Sequence, residues 1–450
     1  MRDTTHSAAV VIRQPLQLED LSCLLEHQAQ RYPHLLESVS QGPLGRFDIL
    51  FAFPQETIQL NNLDDAESFK DQFEADFHQH KTPLAQLDIP FYGGWFGYFA
   101  YEYAQVIEPS LDLAQSELPL AVIQRFPAAI LIDHQTREVC FVAEPNHTEL
   151  LEKMQSDYYH LSHQSPLSKS RAVGVLQTVE EDEQNYLDGV ETIKEYILAG
   201  DVFQVNLSRQ WQLTLAPKVT SIDVYRQLCR HNPAPFAGLI QFDDWAIISS
   251  SPERLVRYQA PWVETRPIAG TRKRSDSEQE DLALIEELIA HPKERAEHIM
   301  LIDLERNDLG RICQAGSVEV NELMVVESYQ HVHHIVSNVR GHCAPGLSPL
   351  KIIHALFPGG TITGCPKIRC MEIISELESG PRDAYTGSVG YINRDGSLDF
   401  NILIRSFIQQ QDVLRFRAGA GIVTDSIASN ELEEARHKAK GLLDALGVTS

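Results

Sequence analysis

Apolar positions along the chain follow two rhythms, and each rhythm predicts a different element. In RFDILFAFP, Phe47, Ile49, Phe51 and Phe53 occupy every second position, the spacing of a strand. HLLESV before it and the runs at 119–132 and 137–143 read the same way. Leu18, Leu21 and Leu25 fall at helical spacing and predict a helix over 18–30. Beyond the turn-like Asn61–Asn62 break, 64–80 and 147–160 predict two more. FYGGWFGYFAYEY (91–103) predicts a tightly packed strand and turn, because glycine within a strand signals close backbone approach. The polar, Ser/Pro-rich HQSPLSKSRAVG (163–174) sets a boundary between an N-terminal region, 1–165, and a second region, 175–450.

The second region opens with a helix on Tyr186, Val190, Ile193 and Ile197, stopped by Gly200, and then the strand DVFQVNLSRQWQL. QLCRHNPAPFAGLIQF predicts a proline-broken turn, and WAIISSSPERLVRY a strand pair or a bent strand. Helices at 279–290 and 292–306 precede strands at 317–326 and 331–340 and a helix at 349–356. YTGSVGYI, LDFNILIRSFIQ and LRFRAGAGIV read as three antiparallel strands. The last helix carries the stripe Leu432, Ala435, Ala439, Leu442 and Leu446, with Ser429 or Asn430 as its cap and Gly447 as its stop. Antiparallel runs with helices between groups, and no βαβ alternation, give an α+β class.

Composition adds two constraints. Lys+Arg 38 against Asp+Glu 63 leaves a net charge of −25, a surface that repels phosphate backbones and excludes nucleic acid as a partner. An anionic substrate then needs local basic groups, helix N-termini or a metal ion. Seven scattered cysteines without a CxxC pair, no signal-peptide core and no run of bilayer length point to a cytoplasmic protein away from the membrane.

Two acidic stretches carry the first candidate chemistry. In HPKERAEHIMLIDLERNDLG, Pro292 suits a first helical position, and Glu294 and Glu297 leave one side of the helix. Glu431, Glu434 and Lys438 share a flank of the C-terminal stripe. Two such pairs can hold one hard divalent cation through oxygen ligands; a solvated acidic face is the competing reading. FPGGTITGCPKIRC aims free N–H groups at an anion from a helix start, or is a plain glycine turn. Gly419 and Gly421 in RAGAGIV let backbone approach a carboxylate, with a β-bulge as the alternative. Arg405, inside the apolar NILIRSF, is a bidentate carboxylate clamp or a snorkelling strand-end arginine. In YQHVHHIVSNV, His331 and His333 share a face, and His334 on the other is a general acid or a core histidine. Glu253 in SSSPER can move a proton at a leaving group and Gly270–Thr271 can donate to a carboxylate, or both are turn chemistry.

Taken in order, FQVNLSR, SPERL, PIAGT, KERAEHIMLIDLERNDLGRI, HHIVS, GGTITGCPK, GSVGY, IRS, AGAGIV and EEARHKA resemble the chorismate-utilising enzymes over about residues 185–445. The resemblance implies a sandwich of two large, mainly antiparallel β-sheets with helices outside. It implies Glu297 and Glu434 as Mg²⁺ ligands, with Glu294 and Glu431 supporting metal-bound waters, the ion gripping the ring carboxylate of chorismate. Arg405, Tyr391 and the backbone of Gly419, Ala420 and Gly421 would hold the enolpyruvyl carboxylate, and Gly270, Thr271 and Thr361 the ring. Glu253 and His334 would be the acid–base pair at the C4 hydroxyl, and Lys438 would close the metal side.

Within that family, members that add water carry a lysine base where this chain has Gln204, and a glutamine cannot deprotonate water. Ammonia is the implied nucleophile, supplied by a separate glutamine amidotransferase subunit. GRFDILFAFP and GDVFQVNLSR resemble the branch that makes 4-amino-4-deoxychorismate for folate synthesis. Ala269, where many of that branch carry the lysine of PIKGT, resembles the anthranilate-forming branch instead, and Cys365 replaces the usual alanine of GAPK. A catalytically idle scaffold for the amidotransferase is the reading from another class. LLES with NPAPF (Ser38, Pro235, Phe236) resembles the tryptophan-binding site of anthranilate synthases, and a plain strand is its competing reading.

Overall fold

The computed structural model describes residues 2–5, 8–40, 45–85, 87–163, 171–275, 277–329 and 332–448. Among these residues the chain forms two large sheets in which the strands pair antiparallel. The first holds 13 strands, running from Arg2–Thr5 through Glu138–Ala143, Phe47–Ala52, His34–Glu37, Phe236–Gln241, Trp245–Ser251, Ser406–Gln410 and Val413–Ile422 to Gln204–Leu215 and Val175–Glu180. The second holds 10, from Ile268–Lys273 and Val332–His342 through Arg254–Gln259, Leu398–Asn401 and Ser388–Asn393 to Gly94–Phe99, Ala121–Phe126 and Thr57–Leu60.

The alternation in RFDILFAFP explains how the sheets meet. Ile49 and Phe51 enter one apolar cluster while Leu50 and Ala52 enter the other, so both faces of this strand are buried. Phe51 meets Phe96 and Phe126 of the second sheet at ring-centroid distances of 5.7 and 5.3 Å. Tyr98 meets Trp245 across the same gap at 5.4 Å. This is the sandwich that the resemblance implied. Helices Glu183–Ala199, Ser221–His231 and Ala428–Ala445 pack against the first sheet, and Pro292–Gly310 against the second. No helix among the described residues is long and apolar enough to cross a membrane. Strands from either side of residues 163–174 pair in both sheets: His34–Glu37 with Phe236–Gln241, and Gly94–Phe99 with Ser388–Asn393.

Three local expectations are corrected. The predicted 18–30 helix shrinks to Ser22–His27. The proline-broken turn falls at 232–235, after the helix Ser221–His231, which opens with a reciprocal cap in which the Thr220 side chain accepts from the Asp223 backbone and Asp223 answers. The C-terminal helix starts at Ala428, so Ser429 and Asn430 lie inside it rather than capping it. LDFNILIRSFIQ is two strands in different sheets, Leu398–Asn401 and Ser406–Gln410, and residues 402–405 cross between them.

Around Gly419 the ladder is regular rather than bulged, running from Val205↔Ile422 to Thr214↔Val413 without a shift. The glycine is required for another reason: a Cβ there would overlap the Leu207 carbonyl oxygen of the neighbouring strand. Gly419→Ala is expected to cost about 1–3 kcal/mol by forcing these strands apart. The urea midpoint should fall with little change in slope. Gly310→Ala, where a Cβ meets nothing within 4 Å, should leave the midpoint unchanged or slightly raised.

Candidate active site

The sheet-to-sheet crossover places Arg405. Its φ of 52° lies in the left-handed region that non-glycine residues seldom adopt, and its carbonyl is tied to the Ser250 N–H at 3.1 Å. Arg405 is therefore not inside a strand as its apolar neighbours suggested. Its guanidinium sits deep in the protein, where loss of water lowers its pKa and Glu253 pulls the other way. Among the described residues no carboxylate makes an ion pair with it. A guanidinium held this way presents its donors to a ligand carboxylate.

Glu253 and His334 lie on the same space. Burial raises the Glu253 carboxyl to about 7, opposed by Thr361, the backbone of Ile268 and Arg405. Its Oε1 is buried with no partner, and so is the Thr361 hydroxyl beside it. Glu253 can thus carry a proton near neutrality, as a general acid must. Burial, with the Arg405 charge adding to it, lowers His334 to about 4. At neutral pH His334 is then an uncharged imidazole, joined through Nδ1 to the Thr271 hydroxyl at 2.9 Å. His333, on the opposite face, pairs with Asp281 at 2.8 Å and Ser328 at 2.7 Å, a structural role; His331 lies outside the described residues.

The third wall is the strand carrying the glycines. Lys438 Nζ donates to the Gly419 carbonyl at 2.9 Å, so that carbonyl points away from the Gln204–Leu215 strand. In an antiparallel strand the N–H of a residue leaves the same side as its C=O, and so does the N–H two residues on. The neighbouring Ser406–Gln410 strand pairs only as far as Arg415. The Gly419 and Gly421 N–H groups therefore face an open edge, while the N–H of Ala420 faces into the ladder. Gln204 packs on Gly421, and its Nε2 donates to Glu297 Oε1 at 3.1 Å.

Two of the four metal candidates connect to this edge. Glu297 reaches it through Gln204, and Glu434 through Lys438, its ion-pair partner at 2.9 Å. Glu431 and Glu434 both act on buried Tyr186. Glu294 packs on Gly270, pairs with Arg272 at 2.7 Å and leaves its Oε2 buried without a partner. In kind this all-oxygen set fits a hard divalent cation, and the orphaned Oε2 is the observation that favours it. It is not a closed cage: among the described residues no three His, Cys, Asp or Glu side chains are grouped closely enough to hold an ion. Metal-bound waters and substrate oxygens would have to complete the shell.

Tyr391 does not join Arg405. It lines a separate cavity of about 360 Å³ together with Ser38, Pro235, Phe236, Arg254 and Asp399. The Ser38 hydroxyl donates to the Pro235 carbonyl at 3.1 Å, so LLES and NPAPF do come together, with Tyr391 as part of their set. On the Glu431–Glu434 side stands Tyr385 instead, six residues earlier, beside Tyr186. Two further residues escaped notice. Asn206 donates to the Thr361 carbonyl at 3.0 Å, and Glu305 is a carboxyl 4% exposed that burial and Asp308 raise to about 8. A polar residue at alternate strand positions with Gln204 flagged the first; Glu305 had no sequence signal beyond its helix.

Known proteins resemble the chain along most of its length. Residues 23–444 match the model of the chorismate binding enzyme family. The chain is 42% identical over 366 residues to an anthranilate synthase component I-like protein of Synechocystis sp., covering 80% of this chain and 73% of that one. It is 42% identical over 370 residues to aminodeoxychorismate synthase component 1 of Bacillus subtilis, covering 80% and 78%. The crystal structure of anthranilate synthase component I from Streptococcus pneumoniae superposes with a TM-score of 0.78 at 30% identity, covering 89% of this chain and 93% of that one.

A raised carboxyl is stabilising as the neutral acid, fully below its usual 4.5, and that contribution is lost as pH climbs through about 7. Glu253→Gln removes the dependence. Its unfolding free energy relative to the unsubstituted protein should be flat below pH 4.5 and rise by about 1–3 kcal/mol above pH 7. Urea titrations at a series of pH values measure it.

Proposed function

The chain belongs to the chorismate-binding enzymes and acts on chorismate, and on that premise we propose that it aminates this substrate at C4, giving 4-amino-4-deoxychorismate on the route to p-aminobenzoate and folate. The observation that carries the ammonia step is Gln204. At the position where water-adding members place a lysine base, it is a neutral amide engaged with Glu297. It cannot deprotonate water, so a nucleophile needing no such base, ammonia, is the one this site serves. The GRFDILFAFP and GDVFQVNLSR stretches support the C4 branch.

Chorismate carries two carboxylates. Arg405 and the Gly419 and Gly421 N–H groups take the enolpyruvyl one, since they offer the unpaired donors. Glu294, Glu297, Glu431 and Glu434 would hold Mg²⁺, which when bound would supply charge neutralisation for the ring carboxylate. Thr271 and neutral His334 border the ring. Glu253 gives its proton to the C4 hydroxyl, which departs as water, ammonia forms the C4–N bond, and the new ammonium sheds one proton to solvent. Ala269 offers no amine, so no enzyme–substrate covalent adduct forms at that position. Ammonia comes from a glutamine amidotransferase partner.

Ala269 also favours a second reading, addition at C2 with loss of pyruvate to give anthranilate, and the Ser38–Pro235–Tyr391 cavity accompanies it. Pure chain incubated with chorismate, Mg²⁺ and ammonium separates the readings. A product that aminodeoxychorismate lyase converts to p-aminobenzoate is expected. Fluorescent anthranilate formed directly would instead establish the second, and unconsumed chorismate would leave an idle scaffold for the amidotransferase. Glu297→Gln and Glu434→Gln should each lower turnover by about 10²-fold or more with the thermal midpoint intact. Unchanged Mg²⁺-dependent turnover in either would overturn the ligand assignment.

A further inference from the structure

Two thiols meet just beyond the helix that carries Glu294 and Glu297. The chain leaves Pro292–Gly310 through a last turn in which the Ile312 and Cys313 N–H groups both return to the Leu309 carbonyl, at 3.1 and 2.9 Å. For one residue pair it then lies antiparallel to the chain continuing from Val332–His342, the strand of His334, with Cys313 opposite Cys343. Hydrogen bonds flank the pair on both sides: Gln314 donates to the His342 carbonyl and Ala344 to the Ile312 carbonyl, each at 2.8 Å. The cysteines exchange none themselves, since the Cys343 N–H goes to the Pro261 carbonyl at 2.9 Å and that of Cys313 to Leu309. This is the non-hydrogen-bonded kind of antiparallel pair, in which Cα atoms stand about 4.5 Å apart and the two side chains share a face. A disulfide spans Cα atoms about 4.4–6.8 Å apart, so the backbone already meets its requirement, at the short limit. Cys313 Sγ lies over Gly341, where an added Cβ would come within 2.6 Å of it. Gly341 is the diagonal neighbour on that face, two residues before Cys343, so a change of χ1 rotamer carries the sulfur from the glycine towards the partner thiol. Cys343 is buried and Cys313 half-buried, which gives one of the two a route to solvent. Burial raises both thiols to about 11, and at Cys313 the neighbouring Cys343 adds to the rise.

We propose that Cys313 and Cys343 form a thiol–disulfide exchange site that closes reversibly against a small aliphatic disulfide such as oxidised glutathione. Cys313, the more accessible, gives up its proton, and its sulfur attacks one sulfur of that molecule. The small S–S bond breaks, a first small thiol leaves with the proton, and Cys313 holds a mixed disulfide. Cys343 then gives up its proton and its sulfur attacks that of Cys313, displacing the second small thiol. Two electrons and two protons pass from the protein to the small disulfide, and one S–S bond replaces two S–H bonds in the chain. Excess small thiol runs the same steps backwards, and a Cα spacing at the short limit favours reopening. The closed form makes a loop of about 30 residues and ties the end of the helix bearing Glu294 and Glu297 to the strand bearing His334. Cys365 and Cys370 differ from this pair, because the Cys370 thiol already donates to the Gln204 carbonyl at 3.1 Å.

Peptide mapping tests this on the full chain, reduced, freed of reductant and then held folded in oxidised glutathione. After the remaining thiols are alkylated, tryptic digestion without reduction leaves Cys313 in peptide 312–340 and Cys343 in peptide 341–351, parted by the cut after Arg340. The two peptides are expected joined, exceeding the glutathione adducts at either cysteine by about tenfold or more. Excess reduced glutathione should separate them again. In Cys343→Ser the second displacement has no nucleophile, so the joined form should give way to a glutathione adduct on Cys313; should that variant not fold, Cys343→Ala takes its place. Adducts on Cys313 without joined peptides in the unsubstituted protein overturn the proposal. So do joined peptides that form only in urea, or that excess reduced glutathione leaves intact, and so does a bond between Cys365 and Cys370 formed in place of this one.

Discussion

A guanidinium drawn largely out of water without an ion-pair partner is among the costlier things a fold can contain, and Arg405 is where this one contains it. The crossover that carries it is held from both sheets. Ile402 donates to the Glu253 carbonyl at 3.0 Å, Leu403 to Gly387 at 2.8 Å, and Thr386 to the Leu403 carbonyl at 2.7 Å. With the Ser250 bond, these fix a left-handed arginine that local preference would relax. The unmet charge then organises its surroundings. It opposes the burial-driven rise of Glu253 and deepens the fall of His334, so one residue sets the protonation of both neighbours.

The same logic runs through a protein of net charge −25. Attraction for a dianion cannot come from the overall field and must be local. In the proposed reading it comes from Arg405, two outward N–H groups and a divalent ion among the glutamates. Arg272 and Lys438 sit as internal counter-charges to Glu294 and Glu434, which keeps those carboxylates from repelling one another.

Much of this was legible from order alone. The alternation at 47–53, the stop at Gly200 and the helix starting at Pro292 follow from local rules that tertiary packing does not override. Motif order led to the family, and with it to Glu253, Thr271, Arg405 and the glycine pair. What stayed hidden depends on long-range geometry. LDFNILIRSFIQ is continuous in hydrophobicity, so nothing local marks the change of sheet. Tyr391 and Tyr385 are six residues apart, and nothing in YTGSVGY marks that Tyr391 turns to the cavity of Ser38 and Pro235 while Tyr385 stands beside Tyr186. The neutrality of His334 needs its depth and the arginine opposite, neither of which spacing reveals.

The pairing of His34–Glu37 with Phe236–Gln241, and of Gly94–Phe99 with Ser388–Asn393, has a consequence for what the first third of the chain is. It cannot be excised as an accessory. Cutting at 163–174 would strip partners from two interior strands and present long rows of unmet backbone donors and acceptors, an invitation to self-association. The fold is better viewed as a single woven fabric, in which late segments close only on ones synthesised hundreds of residues earlier, so its maturation is tied to near-complete emergence of the polypeptide.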